Sequence, residues 1–318
     1  MAGGRAGQER APGAGGPARA VARPPAGDLV LIAVAVAAVS TSAPLIREAR
    51  APALAIAFWR NALAVAVLGP LCAVRRRQEI ARLGPAPAGG ALLAGVLLSA
   101  HFATWVPSLS FTTVASSVAL VATQPVWAAL LARARGHEVP SQAWVGIGLA
   151  VGGAVLLTGV DVALSGRALV GDLLAVVGGA LAAAYVTVGG EVRQTVSTTL
   201  YTAICYSTAA VVLGLLCLGG GQPLAGFDHR TWLCLLALTV GPQFLGHSVV
   251  NRVLRTTSAT IVSVAILFEI VGSTLLAWMA FGETPPAGAY PAAVFIAAGI
   301  VLVVLSGRPP DVPAPVVD

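Results

Sequence analysis

From Leu29 to Ser306 the chain is a succession of apolar stretches, most of them close to the roughly 20 residues that a helix needs to cross a bilayer. Read on that rule they fall at about 29–46, 51–74, 88–107, 112–132, 142–160, 168–190, 197–218, 231–250, 257–281 and 287–306, ten predicted spans. The 50 uncharged residues between Arg82 and Arg133 are too long for one crossing. Pro107 with Ser108, Ser110, Thr112 and Thr113 marks the turn that divides them. Composition agrees, since 57% of residues are hydrophobic and 10% charged, against about a quarter charged in soluble domains. With aromatics at 6%, the apolar mass is Ala, Val, Leu and Gly, which lets membrane helices approach closely.

A net charge of +6 suggests nucleic acid only if the basic residues form a patch, and they do not. All 19 are arginines, set mostly between the apolar runs and never interleaved with base-stacking aromatics, so nucleic acid is excluded as a partner and topology is the use of the charge. Cys72, Cys205, Cys217 and Cys234 lie in or beside apolar runs without Cys-x-x-Cys spacing and read as small buried hydrophobes. Residues 1–27, mostly Ala, Gly, Pro and Arg, read as a disordered cytoplasmic tail, and 307–318 as a second cytoplasmic tail.

Two halves of the chain repeat at an offset close to 144 residues. Gly27-Asp28-Leu29 recurs as Gly171-Asp172-Leu173, and Thr112-Thr113-Val114-Ala115-Ser116 as Thr256-Thr257-Ser258-Ala259-Thr260. After a one-residue slip, Gln124-Pro125-Val126 faces Glu269-Ile270-Val271, and Leu130 through Glu138 faces Leu275 through Glu283. Residues 28–160 and 168–306 thus form two five-helix units. Five is odd, so the second unit is predicted to enter the membrane upside down. The arginines fit that inversion. With the N-terminus cytoplasmic, 14 fall inside (Arg5, Arg10, Arg19, Arg23, Arg75, Arg76, Arg77, Arg82, Arg133, Arg135, Arg193, Arg252, Arg255, Arg308), against Arg47, Arg50, Arg167 and Arg230 outside. Arg60 lies within a span.

Polar groups in hydrocarbon are costly, so those inside spans are the functional candidates. Glu269 is the only carboxylate well inside a span and Arg60 the only arginine so placed. They read either as a structural ion pair or as transport groups, Glu269 binding protons or a substrate amine and Arg60 a substrate carboxylate. Gln124 is the repeat partner of Glu269, and equivalent positions of inverted repeats converge near the midplane. Ser117 and Thr123 lie on the same span as Gln124. His101, Trp105 and Ser108 share a helix face by spacing, as do His247 and Asn251; histidines in spans often make only helix-to-helix hydrogen bonds, and Trp105 also suits an interfacial anchor. Tyr185, Tyr206 and Gln243 are weaker candidates. Glu138-Val139-Pro140 and Glu283-Thr284-Pro285 read as helix starts. Gly146, Gly148, Gly152 and Gly153 permit close packing with a neighbour in the same chain or with a second copy in a homodimer. No metal cluster, His-Glu-x-x-His or phosphate-binding Gly-x-x-x-x-Gly-Lys is found, so neither an enzyme, a metal, a cofactor nor an ATP-driven machine is expected.

Residues 28–306 resemble the EamA-like members of the drug/metabolite transporter superfamily. The resemblance is carried by Phe58-Trp59-Arg60-Asn61, His101 through Leu109, Val118 through Gln124-Pro125, Gly246-His247 through Asn251, and Glu269 followed by Gly282-Glu283. Ile270 departs from it, since the family often has Pro after the glutamate, so no kink is implied there. The resemblance implies an all-α integral membrane protein of two five-helix EamA repeats. It also implies a secondary carrier, often an exporter of amino acids, other metabolites or drugs. The expectation is a ten-helix inner-membrane (plasma-membrane) carrier with both termini cytoplasmic, whose partners are the lipid bilayer and a small-molecule substrate moved by alternating access. Flipping of a lipid or lipid-linked substrate is the alternative within transport, and a membrane-embedded lipid-processing enzyme and a structural or sensory membrane protein are the rivals outside it.

Overall fold

The computed structural model describes residues 24–112, 117, 120–158, 166–281 and 289–306. The tails, Thr113 to Ser116 and the Gly282-Glu283-Thr284-Pro285 motif lie outside them. The described chain is built of helices: α1 (Ala26–Ser40), α2 (Ser42–Glu48), α3 (Ala53–Arg75), α4 (Arg77–Arg82), α5 (Pro85–Ser108), α6 (Gln124–Ala134), α7 (Ser141–Thr158), α8 (Gly166–Val192), α9 (Thr198–Gly219), α10 (His229–Leu238), a π-helical segment (Thr239–Ser248), α11 (Val249–Val253), α12 (Ala259–Ile266), α13 (Phe268–Phe281) and α14 (Ala289–Ser306).

Local chemistry sets the starts of these helices. Pro25 and Pro52 stand just before α1 and α3, and Pro85 opens α5, where the missing N–H costs nothing. The side chains of Ser197, Asp228 and Ser258 cap α9, α10 and α12 by accepting from the backbone three residues on.

Among the described residues six helical stretches are long and apolar enough to cross a membrane: Ala26–Glu48, Ala53–Arg75, Pro85–Ser108, Gly166–Val192, Thr198–Gly219 and His229–Val253. Three shorter apolar helices, Ser141–Leu156, Ala259–Ser273 and Tyr290–Ser306, join them. Where ten spans are expected, the shortfall falls on the later helices of each repeat, and the fourth expected span runs through residues outside the described set. Val30, Val74, Leu218, Met279 and Val294 are more than 60% exposed. In water such an outer surface would be an aggregation liability; in lipid it is the matched solvent.

Contacts between helices come in exchangeable pairs. Packing of α5 on α8 is matched by α1 on the π-helical segment and α11, and α6 on α8 by α1 on α13. The contact of α5 with α9 is matched by α3 with the π-helical segment, while α3 meets α9, α6 meets α12 and α7 meets α14. Swapping the two repeats leaves this list unchanged.

Polar contacts sort the helix ends into two sets. At one end Asp28 accepts from Thr256 and Thr257, Glu79 accepts from the Ser197 amide and hydroxyl at 2.7 and 2.6 Å, and Arg135 pairs with Glu191 at 2.9 Å. At the other end Arg230 pairs with Glu48 at 2.6 Å, the Trp59 indole donates to the Leu224 carbonyl at 2.8 Å, and Arg167 donates to the Ser110 carbonyl at 3.1 Å. Asp28 and Glu48 mark opposite ends of α1–α2, and α3, α5, α8, α9 and the stretch from α10 through α11 each run from one set to the other.

Candidate functional site

Two helices begin in the interior rather than at an end. α6 starts at Gln124 after a turn closed by Thr123 N–H to Leu120 O (3.2 Å) and Val126 N–H to Thr123 O (2.9 Å). α13 starts one residue before Glu269 after a turn closed by Leu267 N–H to Val264 O (3.1 Å) and Ile270 N–H to Leu267 O (3.2 Å). The breaks fall at equivalent places in the two repeats. Ile270 gave no reason to expect the second one, and proline does not make it: tight i→i+3 bonds do, while the Ser40 hydroxyl, bonded to the Val36 carbonyl at 2.8 Å, stands 3.4 Å from the Glu269 carbonyl. The Ser273 hydroxyl donates back to the Ser40 carbonyl at 2.9 Å. Gly272 lets α1 come this close, since a Cβ there would collide with the Ser40 side chain.

Between these breaks lies a cavity of about 90 Å³, walled by α1, α3, α5, α8, the π-helical segment and both broken helices. Arg60, His101, Trp105, Gln124, Tyr185, His247 and Glu269, all candidates from the sequence, line it. Asn251 is fully buried behind Tyr185, whose hydroxyl donates to the Asn251 Oδ1 at 2.7 Å. Of the α-helical turn that follows the π-helical segment it is Val250 that lines the cavity, and Asn251 reaches it only through Tyr185. Gln124 Nε2 donates to the Ser263 hydroxyl at 3.0 Å, tying the two broken helices together across the repeats.

Arg60 is 1% exposed. Its Nε donates to Gln243 Oε1 at 2.8 Å, Gln243 Nε2 donates to Asn61 Oδ1 at 3.0 Å, and Asn61 Nδ2 donates to the Ala57 carbonyl at 2.8 Å. The guanidinium lies 4.7 Å above the Phe102 ring, a cation–π contact. Its Nη2 has no hydrogen-bond partner. Among the described residues no ion pair joins Arg60 to Glu269. A guanidinium held on one edge and unsatisfied on the other, at a cavity wall, is a ready acceptor of an anionic group. Glu269, in the first turn of α13, has the positive end of that helix beside it.

His101 Nδ1 donates to the Gly178 carbonyl at 2.9 Å, so the helix-to-helix bond anticipated for it is made and its other ring nitrogen remains an acceptor. Its ring stacks on Trp105 at 5.7 Å and 7°. Trp105 is buried, with an unpartnered indole N–H, rather than anchored at an interface. His247 packs edge-on to Phe102 at 5.6 Å and lies 6.2 Å from Tyr185.

Sequence reasoning ranked Gln243 low and assigned Asn61 no role of its own. The available signal was an uncharged polar residue beside Arg60 inside an apolar run. Tyr206 serves the backbone: its hydroxyl meets Ser248 Oγ at 3.0 Å and the Gln243 carbonyl at 3.4 Å, where the π winding and Pro242 disturb the ladder. Arg193, read as a loop charge, is 1% exposed and donates to the Asn251 carbonyl at 2.9 Å, to the Val196 carbonyl and to Thr198 Oγ1 at 2.6 Å. It fixes the α8–α9 turn against α11. The described residues hold no cluster of three metal-ligating side chains.

A family model for the EamA-like transporter family matches residues 26–159 and 169–305. A solved structure described as "Crystal structure of protein" is similar over 88% of this chain and 97% of its own length, with a TM-score of 0.71 and 18% identity, a likeness of fold. No curated protein matches the sequence.

Proposed function

The chain belongs to the EamA-like transporter family and is a multi-pass membrane protein; from that premise we propose that it is a secondary active exporter of a small zwitterionic or amphipathic metabolite, working by alternating access. In this reading ten spans form two inverted five-helix repeats, the breaks at Gln124 and Glu269 are the paired discontinuities around a midplane site, and both termini are cytoplasmic in the plasma membrane. Arg60 Nη2 receives the substrate's carboxylate. Glu269 receives its amine or the coupling proton, and His101, Gln124 and His247 supply hydrogen bonds, with Trp105 and Tyr185 as walls and Asn251 holding Tyr185.

The observation that carries the reading is the unsatisfied edge of a buried arginine at a cavity whose opposite repeat supplies a carboxylate. The cavity's size favours a small substrate, because 90 Å³ holds several water-sized positions but falls well below the roughly 300 Å³ at which drug-sized pockets begin. A lipid-linked substrate is disfavoured on the same ground.

Metabolites inside and outside cells should be compared between wild type and Glu269→Gln at matched membrane abundance. A compound enriched outside wild-type cells alone supports export and names the substrate class; equal profiles across the panel sink the export reading. Orientation has its own test. All four native cysteines are buried, so a cysteine placed by Arg135→Cys is expected to react only with cytoplasmic reagent and one placed by Arg230→Cys only with external reagent. Labelling of both from one side would overturn the alternation of spans.

A further inference from the structure

Four of the arginines lie within eight residues, Arg75, Arg76, Arg77 and Arg82, across the end of α3 and the short helix α4. A cytoplasmic location accounts for arginines in general but not for this concentration or for what surrounds it. All four line one groove of about 890 Å³, closed on the far side by Pro87, Thr195 and Val196. That volume admits a phospholipid headgroup with its glycerol. Arg75, Arg77 and Arg82 are exposed and, among the described residues, none pairs with a carboxylate. The groove's one carboxylate, Glu79, is already engaged: both its oxygens accept from Ser197, and Arg76 Nε lies 4.0 Å away. The positive charge is therefore left largely uncompensated.

Two exposed apolar side chains accompany the cluster in sequence. Val74, also in the groove, is 81% exposed and Ile80, between the arginines on α4, is 44% exposed. Surfaces with bare Val and Ile beside guanidinium heads suit the boundary between acyl chains and headgroups, where the apolar groups enter the chains and the arginines reach the phosphates. A soluble phosphate compound would leave Val74 and Ile80 without a partner.

We propose that the α3–α5 connection is a binding site for the headgroup of an anionic phospholipid, with Arg75, Arg77 and Arg82 on its phosphate. Arginine favours this occupant because its planar fork meets phosphate oxygens two at a time. The site is separate from the central cavity and does not depend on what the protein transports. It sits against the N-cap of α9 through the Glu79–Ser197 bonds, so the bound lipid rests on the turn that starts that helix.

The test is a titration of the detergent-purified full chain with palmitoyl-oleoyl phosphatidylglycerol, read by native mass spectrometry, with the phosphatidylcholine analogue as the neutral reference. The combined variant Arg75→Gln, Arg77→Gln, Arg82→Gln is expected to weaken phosphatidylglycerol binding about a hundredfold, at about one kcal/mol per arginine. The charge-matched variant Arg133→Gln, Arg252→Gln, Arg255→Gln on the same expected face retains it. Equal loss in both variants, or no loss in the first, overturns the proposal. So does displacement of the lipid by free glycerol phosphate, which would make this a soluble-phosphate site. Because the three groove residues are exposed, the first variant is expected to keep the wild-type melting temperature. If it does not, Arg77→Gln alone decides: a selective loss of phosphatidylglycerol binding supports the site, and unchanged binding overturns it.

Discussion

Glutamine in place of Glu269 is expected to reduce gradient-driven transport in proteoliposomes to the level of protein-free vesicles, with the melting temperature in detergent within a few degrees of wild type. The substitution keeps shape and hydrogen-bonding capacity and removes only ionisation. Two features of the structure support the proposal that ionisation is what matters. First, a carboxylate in the interior of a membrane protein costs several kcal/mol unless compensated, and Arg60, the obvious compensator, is turned to Gln243 instead. Second, Glu269 sits in the first turn of α13 at the cavity wall, where helix polarity favours an anion while solvent or substrate in the cavity meets it directly. A group so placed changes partner or protonation without breaking the packing around it. If Glu269 were a structural strut, the variant would lose stability before it lost transport. Full transport by a folded variant would remove Glu269 from the mechanism.

Gly299→Val is expected to destabilise the protein by more than about 3 kcal/mol, beyond the usual overpacking range, and to show as a collapse of folded yield in the membrane. A Cβ on Gly299 would stand 2.5 Å from the Gly146 carbonyl oxygen and 2.7 Å from both the Ala150 amide nitrogen and its methyl. Two of these obstacles are backbone, which cannot rotate aside, so α7 and α14 must separate. Gly148→Ala and Gly152→Ala are the controls. A Cβ at either position meets nothing within 4 Å, and exchange of Gly for Ala inside a helix is expected to be neutral or to stabilise by up to about 1 kcal/mol. Measured unfolding or folded yield of the three variants separates the faces of α7; equal behaviour would contradict the packing.

Much of the cavity's polar lining was legible without coordinates because membrane hydrocarbon makes polar residues conspicuous. Glu269 and Arg60 were found as the lone charges within spans, and Gln124 as the repeat partner of Glu269; all three line the cavity. What stayed hidden were relations between polar groups. Asn61 and Gln243 are uncharged and 182 residues apart, and nothing in either local pattern says that they complete one edge of Arg60. Arg193 carried the sign expected of a loop and so passed as a topological charge, although its donors are spent on three buried or half-buried acceptors. Asn251 was assigned to the cavity face by its spacing from His247, and the hydrogen bond that places it behind Tyr185 comes from a helix 66 residues away.

The sequence by itself determined the kind of protein this is: apolar runs of bilayer length dictate helices in lipid, and a pattern repeated in the two halves dictates two copies of one unit. Both follow from composition and period, which are properties of the chain before it folds. Only the tertiary structure decided where the helices break and which glycines bear packing. The break before Glu269 is packed against Ser40, 229 residues away, and the roles of Gly146 and Gly153, against α14, differ from those of Gly148 and Gly152 only by which side the partner helix lies on. A hydrogen bond or a close approach has two ends, and a local pattern records only one of them.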